Sequence, residues 1–438
     1  MAADKFRFTT VTAVVVANMV GTGVFTSLGF QLLDIRSGFA LLMLWAVGGL
    51  IAVCGAMTYA ELGAALPRSG GEYNFLSRIY HPAAGFVSGW ISSTIGFAGP
   101  TALAAMTFAA YMLSIFPEYG GPWIERLIAA SLVIGLSVVH ATNRRNSGGL
   151  QLAFTVLKVA IILLFVIAVV TMVGAPQPVN FFPSAGDLAV IASGEFAVSL
   201  IYVSYAFSGW NAATYLSSEM DNPQKTLPGV LLSGTLVVTL MYVALNFAFL
   251  YSAPIDSMVG EVEVGYIAAE AAFGEAGGRF TGVVLAMLLI STVSAMVMAG
   301  PRVIQMIGED FPLLSVFGRT NAHGVPSRAI YAQCVITLIF IFSSTFESVL
   351  VFSGFTLAIN TFATVSSIFV LRRRQPDLER PYKTFLYPLT PLIFLGLTGW
   401  TIAFVILNRP VEALFGLGVV ASGLLFYWLS LRGSQLSR

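Results

Sequence analysis

Along this chain apolar residues fall in stretches long enough to cross a hydrocarbon core of about 30 Å, and polar residues gather in the short segments between them. By the twenty-residue criterion there are roughly twelve such stretches. They begin near Thr9, Gly38, Ala83, Pro122, Leu150, Leu188, Thr226, Gly278, Ala329, Val349, Tyr387 and Val411. The pattern predicts an all-α chain threaded through a bilayer, since a helix satisfies its own backbone hydrogen bonds where water is absent. Almost no sequence is left for a soluble domain.

Composition and charge sharpen this picture. The chain is 57% hydrophobic, 13% aromatic and only 10% charged, with a mean hydropathy of +0.85, outside the range of soluble domains. The net charge of +1 hides a polarised distribution. An even number of spans puts both termini on one side. If that side is the cytoplasm, every lysine and arginine lies inside except Arg36, Arg126, Arg279 and Arg409, with Lys158 inside a span. Nothing here calls for nucleic acid. The polar start MAADKFRFTT, followed by a run of full span length, predicts an uncleaved N-terminus. Cys54 and Cys334 lie within apolar runs and read as packing residues. The sequence has no histidine pair, no Cys-x-x-Cys and no phosphate-binding glycine loop. It therefore supports neither an ATP-driven pump nor a metalloenzyme, and implies no cofactor.

The first apolar run contains an anomaly. ANMVGTGVF, residues 17–25, places Gly21 and Gly23 about 18 Å into the span, near the bilayer middle. Glycine in a helix interior costs about 1 kcal/mol relative to alanine. The pair reads either as small residues that admit a neighbouring helix or as a break whose freed backbone lines a polar cavity. A second interruption, Ser208-Gly209 in SYAFSGWNAATYLSSEMDNPQKTLP, favours the break. Paired interrupted spans at corresponding places in two halves mark a transporter's binding site. Each break opens a set of five spans, and because five is odd the second set enters from the opposite face. The expectation is a first repeat over 8–174, an inverted repeat over 187–374 and two trailing spans over 386–433.

Five segments in order resemble the amino acid, polyamine and organocation transporter superfamily, and within it the L-amino-acid transporter branch. VGTGVF is similar to the glycine-rich break of that family's first helix. YAELGAALPRSGGEYNFLSRIYHPAAGFVSGW, residues 59–90, resembles the signature running from the second helix into the third and is the most specific match. FSGWNAATYLSSEMDNPQKTLP resembles the sixth helix and its loop, SAMVMAGPRVI the eighth, and VLRRRQPDLERPYKTFLYPLTP the loop joining the tenth and eleventh. The resemblance spans nearly the whole chain. It implies an inverted five-helix repeat of the LeuT type with discontinuous helices 1 and 6.

The chemistry of two breaks at mid-membrane can be argued from the backbone. A helix ending there offers free carbonyls and one starting there offers free N–H groups, each end carrying about half a unit of charge, a pair complementary to a zwitterion. The amides around Gly21, Thr22 and Gly23 suit a carboxylate, and the Thr22 hydroxyl could join them. The carbonyls of Met19, Tyr205, Ala206 and Ser208 suit an ammonium. The resemblance implies the same assignments, with Tyr205 as an aromatic gate. Phe207 and Trp210 read equally as side-chain contacts or as packing. The third span and the core of the eighth hold no acid, and Glu195 reads as near the surface, so a cationic side chain would lack a counter-ion. Neutral amino acids are the expected substrates, with cationic amino acids or polyamines as the alternative; a channel or membrane enzyme fits poorly.

Lys158, in AFTVLKVAIILLFV, lies about 10 Å from the polar start of its span, within reach of snorkelling. The resemblance implies another role, an ammonium seated in the cation site of sodium-coupled relatives, with Ser291 and Ser294 of the eighth span as hydroxyl partners. That predicts sodium-independent transport, by exchange or proton symport. Animal members of the family this chain resembles join a heavy chain through an external cysteine; the loop SIFPEYGGPW has none, so no disulfide-linked heavy chain is expected. The expected location is a prokaryotic inner membrane with both termini cytoplasmic.

Overall fold

A computed structural model describes residues 8–68, 70–142, 148–220, 222–311 and 314–436. Of the cationic residues weighed for orientation, Lys5, Arg7, Arg144, Arg145 and Arg438 lie outside these. The described chain is helical almost throughout. The first interrupted span is α1 (Phe8–Met19) and α2 (Gly23–Gln31). It is followed by α3 (Gly38–Ala65), the short α4 (Gly71–Ile79), and a third span formed by α5 (Pro82–Ile91), a π-helical turn (Ser92–Gly96) and α6 (Ala98–Ile115). Helices α7 (Pro122–Thr142) and α8 (Gly148–Met172) complete the first set. The second interrupted span is α9 (Asp187–Ile191), α10 (Gly194–Ala206) and a 3₁₀ helix (Ala212–Glu219). Then come α11 (Pro223–Ser252), α12 (Ile255–Met258), α13 (Val264–Asp310, kinked at Gly274), α14 (Ser315–Gly318), α15 (Ser327–Ser343) and α16 (Phe346–Arg374). Helices α17 (Leu389–Asn408) and α18 (Pro410–Leu436) end the chain.

Nine helical runs among the described residues are long and apolar enough to cross a bilayer. The other expected spans correspond to the shorter Val156–Met172 and Ser327–Ser343 and to the second interrupted span. Side-chain hydroxyls set several helix starts, as the capping rules require. Ser37 caps α3 by accepting from Ala40 N at 3.2 Å, and Ser193 caps α10 by accepting from Phe196 N at 3.2 Å.

The packing runs between the two sets. Helix α3 lies along α11, and α6 along α13, while α1 packs on α11 and α10 on α3. Helix α7 likewise lies along α15 and α2 along α10, and the two breaks meet. The lipid-facing sides of α7, α8 and α18 carry the exposed large apolar residues, including Leu164, Val139 and Phe415.

At the end of the bundle rich in arginine, here called the basic end, two of the quoted motifs are one structure. Glu61 of the 59–90 signature is fully buried and takes both Nε and a terminal nitrogen of Arg372, at 2.9 and 2.6 Å. It also accepts from the backbone N and the hydroxyl of Thr384, each at 2.7 Å, with Arg380 at 3.5 Å. The Arg372 guanidinium lies 3.6 Å from the Tyr387 ring centre. The loop after α16 is therefore pinned across the end of α3.

Candidate functional site

The two breaks touch. A Cβ on Gly23 would lie 2.6 Å from Ala206 Cα, and one on Gly209 would lie 2.8 Å from the Asn18 carbonyl oxygen. Gly209 also has φ +99°, a left-handed turn that glycine adopts without strain. Gly21 differs, because a Cβ there would meet only Met19 O, at 3.9 Å. So Gly23 provides close backbone approach, while Gly21 leaves room. Gly21 N donates to Met19 O at 2.8 Å and is thereby occupied. Thr22 caps α2 with no side-chain hydrogen bond to the helix, so the amides heading α2 carry the positive end of its dipole.

The carbonyl side carries a residue that sequence reading missed. Tyr242 of α11 is fully buried, and its hydroxyl lies 2.5 Å from Met19 O and 3.1 Å from Ala206 O, donating into the pair. One phenol thus ties the last carbonyl of α1 to that of α10. Ala206 O keeps a second lone pair for another donor, whereas Met19 O already accepts from both Gly21 N and Tyr242. Tyr205 O accepts from Ser208 N at 2.9 Å, closing the turn after α10. Beside the breaks lies a cavity of about 440 Å³ whose walls include Met19, Gly21, Thr22, Gly23, Tyr205, Ala206, Phe207, Ser208 and Trp210. All nine residues expected to contact substrate come together there.

Lys158 does not snorkel. It is 5% exposed, and its ammonium donates to Thr292 Oγ1 at 2.7 Å and to Val20 O at 3.4 Å. The hydroxyl partner on α13 is Thr292, where Ser291 and Ser294 were expected. Successive helix positions turn by about 100°, and it is position 292 that faces α8. Ser291 is buried, and Ser294 hydrogen-bonds His140 Nε2 of α7 at 2.8 Å. Thr292 donates its own proton to Leu288 O at 3.1 Å, leaving its lone pairs for the ammonium.

A family model described as amino acid permease matches residues 6–428. The chain belongs to this family. The permease is similar to large neutral amino acids transporter small subunit 2 of Homo sapiens, 28% identical over 431 residues, 95% of this chain and 78% of the relative. It is similar to b(0,+)-type amino acid transporter 1 of Mus musculus, 25% identical over 425 residues (95% and 85%). It is also similar to serine/threonine exchanger SteT of Bacillus subtilis strain 168, 28% identical over 386 residues (86% of each). The superfamily resemblance drawn from the five motifs is thereby shown, as is an all-α membrane transporter with about twelve helices.

In the permease Phe207 and Trp210, near the second break, both line the cavity and both pack on other rings. Phe207 packs against Tyr242 at 5.0 Å and Trp45 at 6.3 Å between ring centres, inside the α3–α11 interface. Trp210 stands edge-on to Tyr59 at 4.6 Å and faces the cavity. Glu195 is exposed at the start of α10, as expected. The expectation that no acid faces the site needs correction. Glu72, in the GGEYNF part of the signature, is 2% exposed and is the one carboxylate among the described residues lining the cavity. It accepts from Tyr59 OH at 3.1 Å and from Asn211 Nδ2 and Tyr215 OH. It escaped notice because it lies in α4, before the third span begins; only its place in the signature marked it.

Proposed function

We propose that this permease moves neutral L-amino acids by alternating access, independently of sodium, as an exchanger or a proton-coupled symporter. The contact of the two breaks carries this reading. It brings the residues that head α2 and those that end α1 and α10 to one cavity, and opposite helix-dipole ends at one cavity are complementary to a zwitterion. Two relatives named for large neutral amino acids and for serine and threonine support the substrate class. The packing of α3 on α11 and of α6 on α13 supports inverted repeats over 8–174 and 187–374, with 386–433 trailing. The distribution of lysine and arginine supports cytoplasmic termini, and a prokaryotic inner membrane is the location we favour. No disulfide-linked heavy chain is proposed, and no catalysis.

Glu72 favours a second reading, a cationic amino acid or polyamine as substrate. Its oxygens already accept from Tyr59, Asn211 and Tyr215, so the weight stays with neutral substrates. Uptake of a labelled amino acid panel into proteoliposomes tests both, with and without internal amino acid and with a pH gradient. Neutral amino acids should dominate, and decarboxylated or N-acetylated analogues should compete poorly. Equal competition by those analogues would overturn the assignment of the breaks; preferential uptake of lysine or a diamine would establish the second reading.

A further inference from the structure

Glu72 sits where five elements converge. The chain enters α4 through Gly70 and Gly71, both left-handed at φ +117° and +50°, which bring Glu72 to the second residue of the helix. A Cβ on Gly71 would lie 2.8 Å from Tyr215 Cζ, so no side chain fits between α4 and the 3₁₀ helix. The carboxylate meets Tyr59 from α3 and Asn211 and Tyr215 from the segment after the second break. Tyr215 in turn engages Ser92 of the π-helical turn, and Tyr59 engages Thr364 of α16. Every group facing the carboxylate is a neutral donor.

Three partners converge on one group, and a carboxylate accepts from all three through its two oxygens, whereas an amide keeps one acceptor oxygen and replaces the other with a donor, so at least one of the three contacts must turn round or break. The three contacts as they stand are met best by an acid at this position. Two of the three donors come from residues 211–215, a segment joined to α10 only through the left-handed turn at Gly209 and wound as a 3₁₀ helix, whose hydrogen bonds are weaker than those of an α-helix. Glu72 of α4 and Asn211 and Tyr215 of that segment all line the cavity. For the cavity to open there, Asn211 and Tyr215 must leave α4.

We propose that Glu72 is the gate residue of the basic end: its carboxylate bolts the segment after the second break to α4 and α3, and release of Asn211 and Tyr215 from it opens the cavity to that side. This rests on the alternating-access reading. Glu72 acts through the position of the 3₁₀ segment and is a positioning residue, and its chemistry makes a graded prediction. Glu72→Gln keeps one acceptor oxygen and turns the other into a donor, Glu72→Asp keeps both acceptors at shorter reach, and Tyr215→Phe removes one donor.

The test is thiol accessibility. In a Cys54→Ala, Cys334→Ala background, Ala358→Cys places one reporter in the cavity wall on α16. A membrane-impermeant thiol reagent is applied to vesicles of each orientation. Glu72→Gln should speed labelling about tenfold from one face only, the scale set by losing a hydrogen bond to a charged group. Tyr215→Phe should act in the same direction, and Glu72→Asp should stay nearer the parent. Combined, Glu72→Gln and Tyr215→Phe should exceed neither single effect by much, since they break one contact. Unchanged labelling, or equal acceleration from both faces, would overturn the proposal. If Glu72→Gln fails to fold, Tyr215→Phe decides by the same criterion. Labelling does not require transport: a parent that shows gating without amino acid uptake refutes the transport reading alone, and one that transports with labelling insensitive to both variants refutes the gate alone.

Discussion

Replacing Lys158 by alanine removes a buried cation that joins α8 and α13 to the first break. Its ammonium reaches from α8 to Thr292 on α13 at 2.7 Å and to Val20 O, just past the end of α1, at 3.4 Å. A hydrogen bond from a charged group contributes about 1.5–3 kcal/mol, and the longer contact to Val20 belongs at the low end. Together they amount to about 3 kcal/mol of coupling between α8, α13 and the break, offset by the cost of keeping an ammonium out of water. If half of this survives as preference for the transport-competent arrangement, uptake falls by about tenfold, and by about a hundredfold if most does. Thr292→Val, which keeps the shape and removes the hydroxyl, should cost less than Lys158→Ala but fall on the same side. Replacing external Na⁺ with choline should leave parental uptake unchanged, because the ammonium already occupies the place a cation would take. The assay is initial-rate uptake in proteoliposomes, with monodispersity in detergent as the folding control. Parental uptake by a well-folded Lys158→Ala variant would refute the bridge, and collapse of parental uptake in choline would show that Lys158 is not the resident cation.

The two glycines of the first break should separate under substitution. Gly23→Val drives its side chain into Ala206 and should abolish uptake in protein that still purifies as a monodisperse species, whereas Gly21→Ala meets only an oxygen 3.9 Å away and should retain much of it. Equal tolerance at both positions would remove Gly23 from the contact between breaks. Tyr242→Phe leaves the Met19 and Ala206 carbonyls without the buried hydroxyl that joins them, a loss of about 1–3 kcal/mol. It should lower the thermal unfolding temperature in detergent and weaken substrate affinity by about tenfold; parental values for both would show that the phenol is a spectator.

The sequence discloses the breaks because glycine at mid-membrane contradicts the local rule for a helix, and such contradictions gather at functional sites. Gly21, Gly23 and Gly209 are legible for that reason, and so are the carbonyls and amides they free. Lys158 is legible as an intramembrane charge, but its partner is not. Ser291 and Ser294 share a face at helical spacing, yet which face of α13 turns toward α8 depends on the kink at Gly274 and on packing against α6, neither of which spacing encodes. Tyr242 illustrates a different limit. It is one tyrosine in an apolar run, indistinguishable in sequence from an interfacial aromatic, and becomes functional only when α11 is laid against α1 and α10.

Glu61 and Glu72 extend this to the acids, and their contrast explains what each does. They lie eleven positions apart in one motif and are both buried. Glu61 meets two guanidinium groups and the backbone of a fixed loop, so its charge is compensated in place and removing one partner would leave a buried charge at a cost of about 3–5 kcal/mol. Such a contact suits a part of the protein that stays assembled throughout a cycle. Glu72 meets only hydroxyls and an amide, two of them on a segment hinged at Gly209. Neutral donors release a carboxylate to water more easily than a cation does, because water replaces them in kind. The same residue type is therefore held permanently where a cation faces it and reversibly where neutral donors do, and this difference in partner places the clamp at Glu61 and the moving contact at Glu72.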